Sequence, residues 1–260
     1  MKRIFFVGAL AILSVACANP TPQPKTISSQ EAVMLFLQKA NEASFGQAND
    51  IQGNAFEQRF EKGLYHLFDT LGFQTQWTGT IKEISQSETN NTINLSFEII
   101  CPYAGEYGEL TLLCNHLVKK ENLEKDKIYK SVSLMRDFSS VRFDGFPRTR
   151  QDNTLDWDVW TPKHLRTQYP KIHFWVANIA EDYPETYSAP SDNLVHACNL
   201  VLKSAKLVNQ NNNNEITKEE YKKSSEELKK ANEEASSVLS AEEKAYLQIV
   251  STDAFYNVTY

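Results

Sequence analysis

Positive charge and glycine are both scarce in this sequence. Its 260 residues carry 27 Lys and Arg against 33 Asp and Glu, a formal net charge of −6, and include 9 glycines. This composition, with 41% hydrophobic residues, excludes a collagen, a multi-span membrane protein and a wholly disordered chain. Nucleic-acid-binding domains are normally basic, so the acidic balance argues against nucleic acid as a partner.

Long apolar runs are missing as well. The run at residues 4–13 is too short to cross a bilayer. Lys2 and Arg3 precede it and small residues follow it, which is typical of a secretory signal peptide. We therefore predict a leader at residues 1–16 and exclude it from the fold.

The end of the leader admits two interpretations. Ser14, Val15 and Ala16 lead into Cys17 in a pattern that resembles the lipobox of bacterial lipoproteins, where the cysteine is lipidated. Ordinary cleavage there would instead discard Cys17. Lipidation is favoured, because a Pro-, Thr- and Gln-rich segment follows that suits a tether. The lipoprotein rules, with Ala18 after the cysteine, imply an outer-membrane protein facing the periplasm; a secreted or soluble periplasmic protein is the alternative.

The remaining chain divides by composition and periodicity. We predict a tether at 17–27, a helix–barrel–helix domain at 28–208, an Asn-rich linker at 209–214 and a charged helical segment at 215–260. Helices, then strands, then helices is the order of an α+β fold.

Local signals place the individual elements. Capping boxes begin helices at 28–31 and 217–220, Ser240 caps a last helix, and Ser191 caps another. A loop is predicted at 46–54, followed by a helix that ends at Gly72. Alternating apolar residues predict strands at 77–84, 93–101, 110–118, 128–134, 141–146 and 171–179.

The central block, 77–146, resembles a known family. Its features are Trp77-x-Gly79-x-Ile81 opening the first strand, the alternating strand 93–101, and the segment 123–128 entering the fourth strand. These resemble the OB-fold families of bacterial envelope proteins, in particular the tRNA-anti-like group. The resemblance implies a small antiparallel OB-like β-barrel, flanked here by N-terminal and C-terminal helices, and an envelope location. It implies no activity.

The cysteines leave the disulfide pattern open. With Cys17 lipidated, Cys101, Cys114 and Cys198 can form one disulfide or none. The hairpin register puts Cys101 opposite about Glu109, so a bond from Cys198 to either strand cysteine is the better option.

No metal site or cofactor is expected. Cys114 with His116, and His196 with Cys198, offer the ligand types of a zinc site. Residues two apart on a helix do not face each other, however, which argues against the second pair as ligands.

The candidate binding surface is the segment Asp156, Trp157, Asp158 and Trp160, in an irregular stretch rich in proline. Such a group suits a sugar ring or a cation, whereas two tryptophans three apart can equally anchor a loop on the barrel. No G-x-S-x-G, H-E-x-x-H, P-loop or G-x-G-x-x-G motif occurs, and no catalytic residue is predicted.

The sequence thus predicts a membrane-anchored periplasmic lipoprotein acting as a binding module, without enzymatic activity. Its partner would be an envelope protein or a small glycan. The alternative is an envelope hydrolase with a site within 156–173, in which Asp156 or Asp158 would meet His164 or His173.

Overall fold

The structure, a computed structural model, describes residues 27–45, 50–103, 108–183 and 186–259, without the side chains of residues 50, 164 and 257–259. The predicted leader, Cys17 and the tether up to residue 26 lie outside the described residues. Within the described ranges, no helix combines the length and the apolar content needed to cross a bilayer.

Two N-terminal helices, α1 (Ser29–Ser44) and α2 (Asp50–Leu71), precede the strands. The predicted capping box is confirmed: Ser28 Oγ accepts from the Glu31 backbone N–H at 3.1 Å, and Glu31 accepts from the Ser28 N–H at 2.8 Å. The predicted loop at 46–54 is wrong over its second half, because α2 already begins at Asp50.

Five strands form a closed barrel. They are β1 (Gln74–Glu88), β2 (Thr92–Pro102), β3 (Glu109–Lys119), β4 (Ser140–Pro147) and β5 (Lys171–Glu181), in the order β1-β2-β3-β5-β4. The fold is therefore α+β with a closed five-stranded barrel, as predicted at that level. The pairing of β3 with β5 is parallel, so the prediction of an antiparallel barrel is wrong for that pair. Strands of 8 to 15 residues also make it larger than the small barrel predicted.

The barrel interior is built from alternating strand residues and from the two helices. On β2 the predicted alternation is confirmed, with every second residue from Ile93 to Cys101 buried. Trp77, Phe143 and Phe174 meet at the centre, with ring centroids 5.9–6.2 Å apart. Buried residues of α1 and α2 join the same cluster, namely Val33, Leu37, Phe60, Leu64 and Phe68.

The segment predicted as a fourth strand at 128–134 is a helix instead, α3 (Lys127–Leu134). Asp126 caps it by accepting from the Tyr129 backbone N–H at 2.8 Å. Ile128 and Val132, four apart, are both buried on one helical face, although the same residues also fit a strand's alternation. The segment 123–128, assigned above to the entry of a strand, therefore leads into α3.

Three helices complete the fold: α4 (Asp192–Asn212), α5 (Lys218–Ser237) and α6 (Ala241–Thr259). The caps predicted at Ser191, Thr217 and Ser240 are confirmed by their hydrogen bonds. Of the predicted linker at 209–214, residues 209–212 form the end of α4. The division into domains stays a prediction.

A second apolar cluster joins these helices to the outside of the barrel. Phe73, Phe146 and Ala177 come from the barrel and its entry. The helical side contributes Leu194, Ala197, Cys198, Leu200, Val201, Ala235, Leu239, Leu247 and Val250.

A buried carboxylate lies beside this second cluster. Asp144 on β4 has 0% exposure. It accepts hydrogen bonds from the Gln76 backbone N–H at 2.9 Å, Asn178 Nδ2 at 2.9 Å, the Tyr246 hydroxyl at 3.3 Å and the Tyr187 hydroxyl. Burial raises the pKa of Asp144, and these hydrogen bonds oppose the rise.

Cys101, Cys114 and Cys198 are buried free thiols, which is the alternative without a disulfide. Cys101 lies opposite Leu110, one residue from the predicted register, and Cys114 lies opposite Phe97. Burial raises the pKa of all three thiols, that of Cys198 to about 12. The thiols therefore stay protonated at neutral pH.

Candidate ligand cavity

The two tryptophans of the predicted binding surface have opposite environments. Trp157 is 3% exposed; it contacts Phe60 with ring centroids 5.8 Å apart, and the Arg166 guanidinium lies 5.1 Å from its ring centroid. Trp160 is 87% exposed. Trp157 is thus the loop anchor that was one of the two interpretations, and of these two tryptophans Trp160 is the one that offers its ring to solvent.

The two carboxylates of that surface form ion pairs and hydrogen bonds with residues of their own loop. Arg148 and Arg150 flank Asp156 at 3.2 and 3.0 Å. Asp158 accepts from the Trp160 backbone N–H at 3.2 Å and from Thr161 Oγ1 at 2.9 Å, which stabilises a turn.

Among the described side chains, that of His173 makes no hydrogen bond to either of these carboxylates. His173 donates its backbone N–H to the carbonyl of Asp156 at 2.8 Å, while its Nδ1 is buried without a hydrogen-bond partner there. Burial lowers the pKa of His173. The side chain of His164 lies outside the described part of the structure.

The residues considered as zinc ligands have separate environments. His116 Nε2 lies 2.9 Å from Asp126 Oδ1, next to the N-terminus of α3. His196 is exposed, whereas Cys198 is buried on the other face of α4. Among the described side chains, no group of three or more His, Cys, Asp and Glu is arranged for a metal ion.

A cavity of about 320 Å³ lies where the helices meet the barrel. We call it the barrel–helix cavity. Its walls come from the end of α2, the end of β4, the middle of β5, the loop after β4, and the helices α4 and α6. The volume falls within the usual range for small-molecule sites, about 300–1,000 Å³. Its lining residues include Tyr65, Phe68, Asp69, Leu71, Gly72, Phe146, Asn153, Trp175, His196, Asn199, Leu202, Lys203, Lys206, Asn209, Asp253 and Ala254.

One part of the lining is aromatic. Tyr65 and Phe68 come from α2, Phe146 from β4 and Trp175 from β5. The Trp175 ring also contacts the Arg148 guanidinium at 5.3 Å and Tyr256 at 5.7 Å, which hold it in place. Burial raises the pKa of Tyr65 to about 12, so its hydroxyl remains a hydrogen-bond donor.

Another part of the lining is a polar stripe on α4. His196, Asn199, Lys203, Lys206 and Asn209 are three or four residues apart, the spacing that brings side chains to one face of a helix. This spacing was visible in the sequence. Only the helix, with its cap at Ser191, was predicted from the sequence, and the stripe was missed.

Asn209 is the most informative residue of the stripe. It is 5% exposed, and its side-chain amide has no hydrogen-bond partner among the residues that the structure describes. The Asn209 amide atoms are not fully enclosed by protein, so they reach the space of the cavity, where water or a ligand can bond to them. A polar molecule in the cavity would supply that partner.

Asn199 is held in a fixed orientation. Its Oδ1 accepts from the Phe73 backbone N–H at 2.7 Å, which leaves Nδ2 as the free donor. The same Oδ1 occupies the space beside Gly72, where an added Cβ would come within 2.1 Å of it. Gly72 also has a φ of +70°, a conformation that favours glycine. Both observations show that the end of α2 packs closely against Asn199 at this wall of the cavity.

Asp253 supplies a carboxyl group at the α6 wall. It is partly buried, and in the described ranges it makes no hydrogen bond or ion pair. Burial raises its pKa to about 7; the charge of His116 opposes this shift and that of Asp126 adds to it. A carboxyl group that titrates near neutral pH in a cavity is a frequent property of binding sites.

No protein-family model matches this chain, and no curated protein matches it. Function is therefore inferred from the chemistry of the barrel–helix cavity. With both amide and carboxyl groups facing aromatic rings, the cavity has the chemistry to hold a small polar molecule with an apolar face.

We expect Asn209→Leu to stabilise the empty protein by about 1–2 kcal/mol, because it puts an apolar side chain in place of an amide at a position that is only 5% exposed. Urea unfolding measures the change. Asn212→Leu, at an exposed position on the same helix, is the control for the better helix propensity of leucine. A loss of stability in Asn209→Leu relative to this control would show that the amide is satisfied in the empty protein.

The titration of Asp253 predicts that the free energy of unfolding depends on pH. Its pKa is about 7 in the folded protein, against the usual 3.8. The folded state therefore binds this proton more tightly, and its contribution to stability is lost as pH rises toward about 7. Relative to Asp253→Asn, the free energy of unfolding of the wild type should fall by about 2–4 kcal/mol between about pH 4 and pH 7.

Urea unfolding at a series of pH values provides the measurement. Asp137→Asn, at an exposed carboxylate, is the matched control and should track the wild type throughout. A difference between wild type and Asp253→Asn that does not change with pH would contradict the raised pKa.

Proposed function

We propose that this chain is a lipid-anchored protein of the bacterial cell envelope that binds a small ligand in its barrel–helix cavity without catalysing a reaction. The observation that carries the proposal is the cavity itself. It combines aromatic rings with the amides of Asn199 and Asn209, and its lining side chains come from five separate helices and strands, α2, β4, β5, α4 and α6.

An OB-like barrel is part of the proposal. The closed strand order β1-β2-β3-β5-β4 and the position of α3 between β3 and β4 both support it. OB-fold barrels serve as binding modules for several kinds of ligand. Here the helices α4 and α6 add a wall to the outside of the barrel, and that wall encloses the cavity.

The anchor and location rest on the N-terminal sequence. Lipidation of Cys17 would leave a tether of about ten residues before α1, whose cap is Ser28. Outer-membrane placement on the periplasmic side follows from the lipobox pattern with Ala18; a secreted or soluble periplasmic form is the alternative.

A second surface suits an envelope protein as partner. Trp160 and Val159 are adjacent and expose 87% and 74% of their surface. Tryptophan is enriched where proteins bind one another, because one ring buries a large apolar area. The hydrolase alternative has less support, since Asp156 and Asp158 are both engaged within their own loop.

Native mass spectrometry tests the proposed binding. Full-length wild type purified gently from native membranes should carry a small bound molecule, and Leu202→Trp should lose it by filling the cavity. Val238→Trp, at a position with 64% exposure, should keep it. Circular dichroism checks that each variant folds, since overpacking costs about 1–3 kcal/mol. A wild type that carries no molecule, or a filled variant that still carries it, would count against the cavity as the site.

Metabolic labelling with a palmitate analogue in the native host tests the anchor. The wild type and Cys198→Ala should be labelled, because their Cys17 is intact, and Cys17→Ala should not be. An unlabelled wild type would contradict lipidation at Cys17.

A further inference from the structure

We infer that the ligand of the barrel–helix cavity is a neutral, polyhydroxylated ring, that is, an uncharged sugar. This inference rests on the proposed function, because it names the class of ligand for the same cavity. It follows from three properties of the lining: its charge balance, its unpaired hydrogen-bonding groups and its aromatic rings.

The charges of the lining nearly cancel at neutral pH, where Asp253, with its pKa raised to about 7, is partly ionised. Asp69 and Lys206 form an ion pair at 2.7 Å, and Lys206 also lies 5.9 Å from the Tyr65 ring centroid. The other two charged residues, Lys203 and Asp253, are of opposite sign. An anionic ligand would face both carboxylates and a cationic ligand both ammonium groups, so a neutral ligand is favoured.

The unpaired groups of the lining match hydroxyls. The Asn209 amide can both donate and accept, Asn199 Nδ2 donates, and the Asp253 carboxylate accepts. Each hydroxyl of a sugar is a donor and an acceptor at once, so adjacent hydroxyls can satisfy such a mixed set. A carboxyl group that titrates near neutral pH can also bond to a hydroxyl in either protonation state.

The aromatic part of the lining matches the other side of a sugar. A sugar ring presents C–H groups on its faces, and these pack on aromatic rings such as Trp175 and Phe146. An apolar ring without hydroxyls would fill the same space but leave the Asn209 amide unpaired, which costs free energy. The two parts of the lining together therefore select a ring that is apolar on its face and polar at its edge.

Four probes of one ring type but different charge test the inference. Glucose and N-acetylglucosamine are neutral, glucosamine is a cation and glucuronate is an anion. Their binding to the full-length protein in detergent is measured by calorimetry at neutral pH, after removal of any co-purified molecule. We expect at least one neutral probe to bind at least about ten-fold more tightly than either charged probe.

The variants locate the binding. Asn209→Leu should weaken the neutral probe by at least about ten-fold, because it removes both a donor and an acceptor. Asn212→Leu should leave binding unchanged, since its side chain is exposed at the end of α4. Asp253→Asn should retain binding within a few-fold, because the amide also bonds to hydroxyls.

Several results would overturn the inference. Preferred binding of glucosamine or glucuronate would show a charged ligand, and neutral binding unaffected by Asn209→Leu would place the sugar outside the cavity. If no probe binds while Leu202→Trp still removes a co-purified molecule, the sugar class is wrong and the proposed function stands. If no probe binds and no molecule co-purifies, both fail.

Discussion

The carboxylate of Asp144 holds the barrel and the helical layer in register. It lies on β4 with no exposure and accepts hydrogen bonds from β1, β5, Tyr187 and α6. Removing donors from a buried carboxylate is costly, so each of these elements must stay within bonding distance. Tyr246 fixes α6 in this way, and Asp253 lies about two helical turns further along the same helix. The position of the cavity's α6 wall therefore depends on Asp144.

The cavity is maintained at the expense of stability. Asn209 and Asp253 would both be replaced by apolar residues if packing alone decided their identity, because neither has a partner in the described part of the chain. Polar groups that lack a partner within the protein are typical of ligand-binding sites, where activity and stability compete. The apolar cluster around Leu194, Cys198 and Val250 supplies compensating burial close by.

Patterns that depend on neighbours in sequence were predictable, and those that depend on distant partners were not. The caps at Ser28, Ser191 and Thr217 and the alternation in β2 are local, and all were found. The eight residues of α3 fit a strand and a helix equally by apolar spacing, so Asp126 as a cap was the only discriminating signal. The different burial of Trp157 and Trp160 follows from a bridge between Trp157 and Ile172, which no local pattern reveals. The cavity likewise joins residues from Tyr65 to Ala254, and only its stripe on α4 was readable in advance.

The parallel pairing of β3 with β5 governs the order in which the barrel can be completed. β1, β2 and β3 pair consecutively as hairpins. The second neighbour of β3 is β5, which begins some fifty residues after β3 ends. β1 likewise needs β4 as its second neighbour. A chain that emerges N-terminus first therefore holds two open strand edges until residues 171–181 are available. Protecting those edges during synthesis is therefore a requirement that this topology places on the cell.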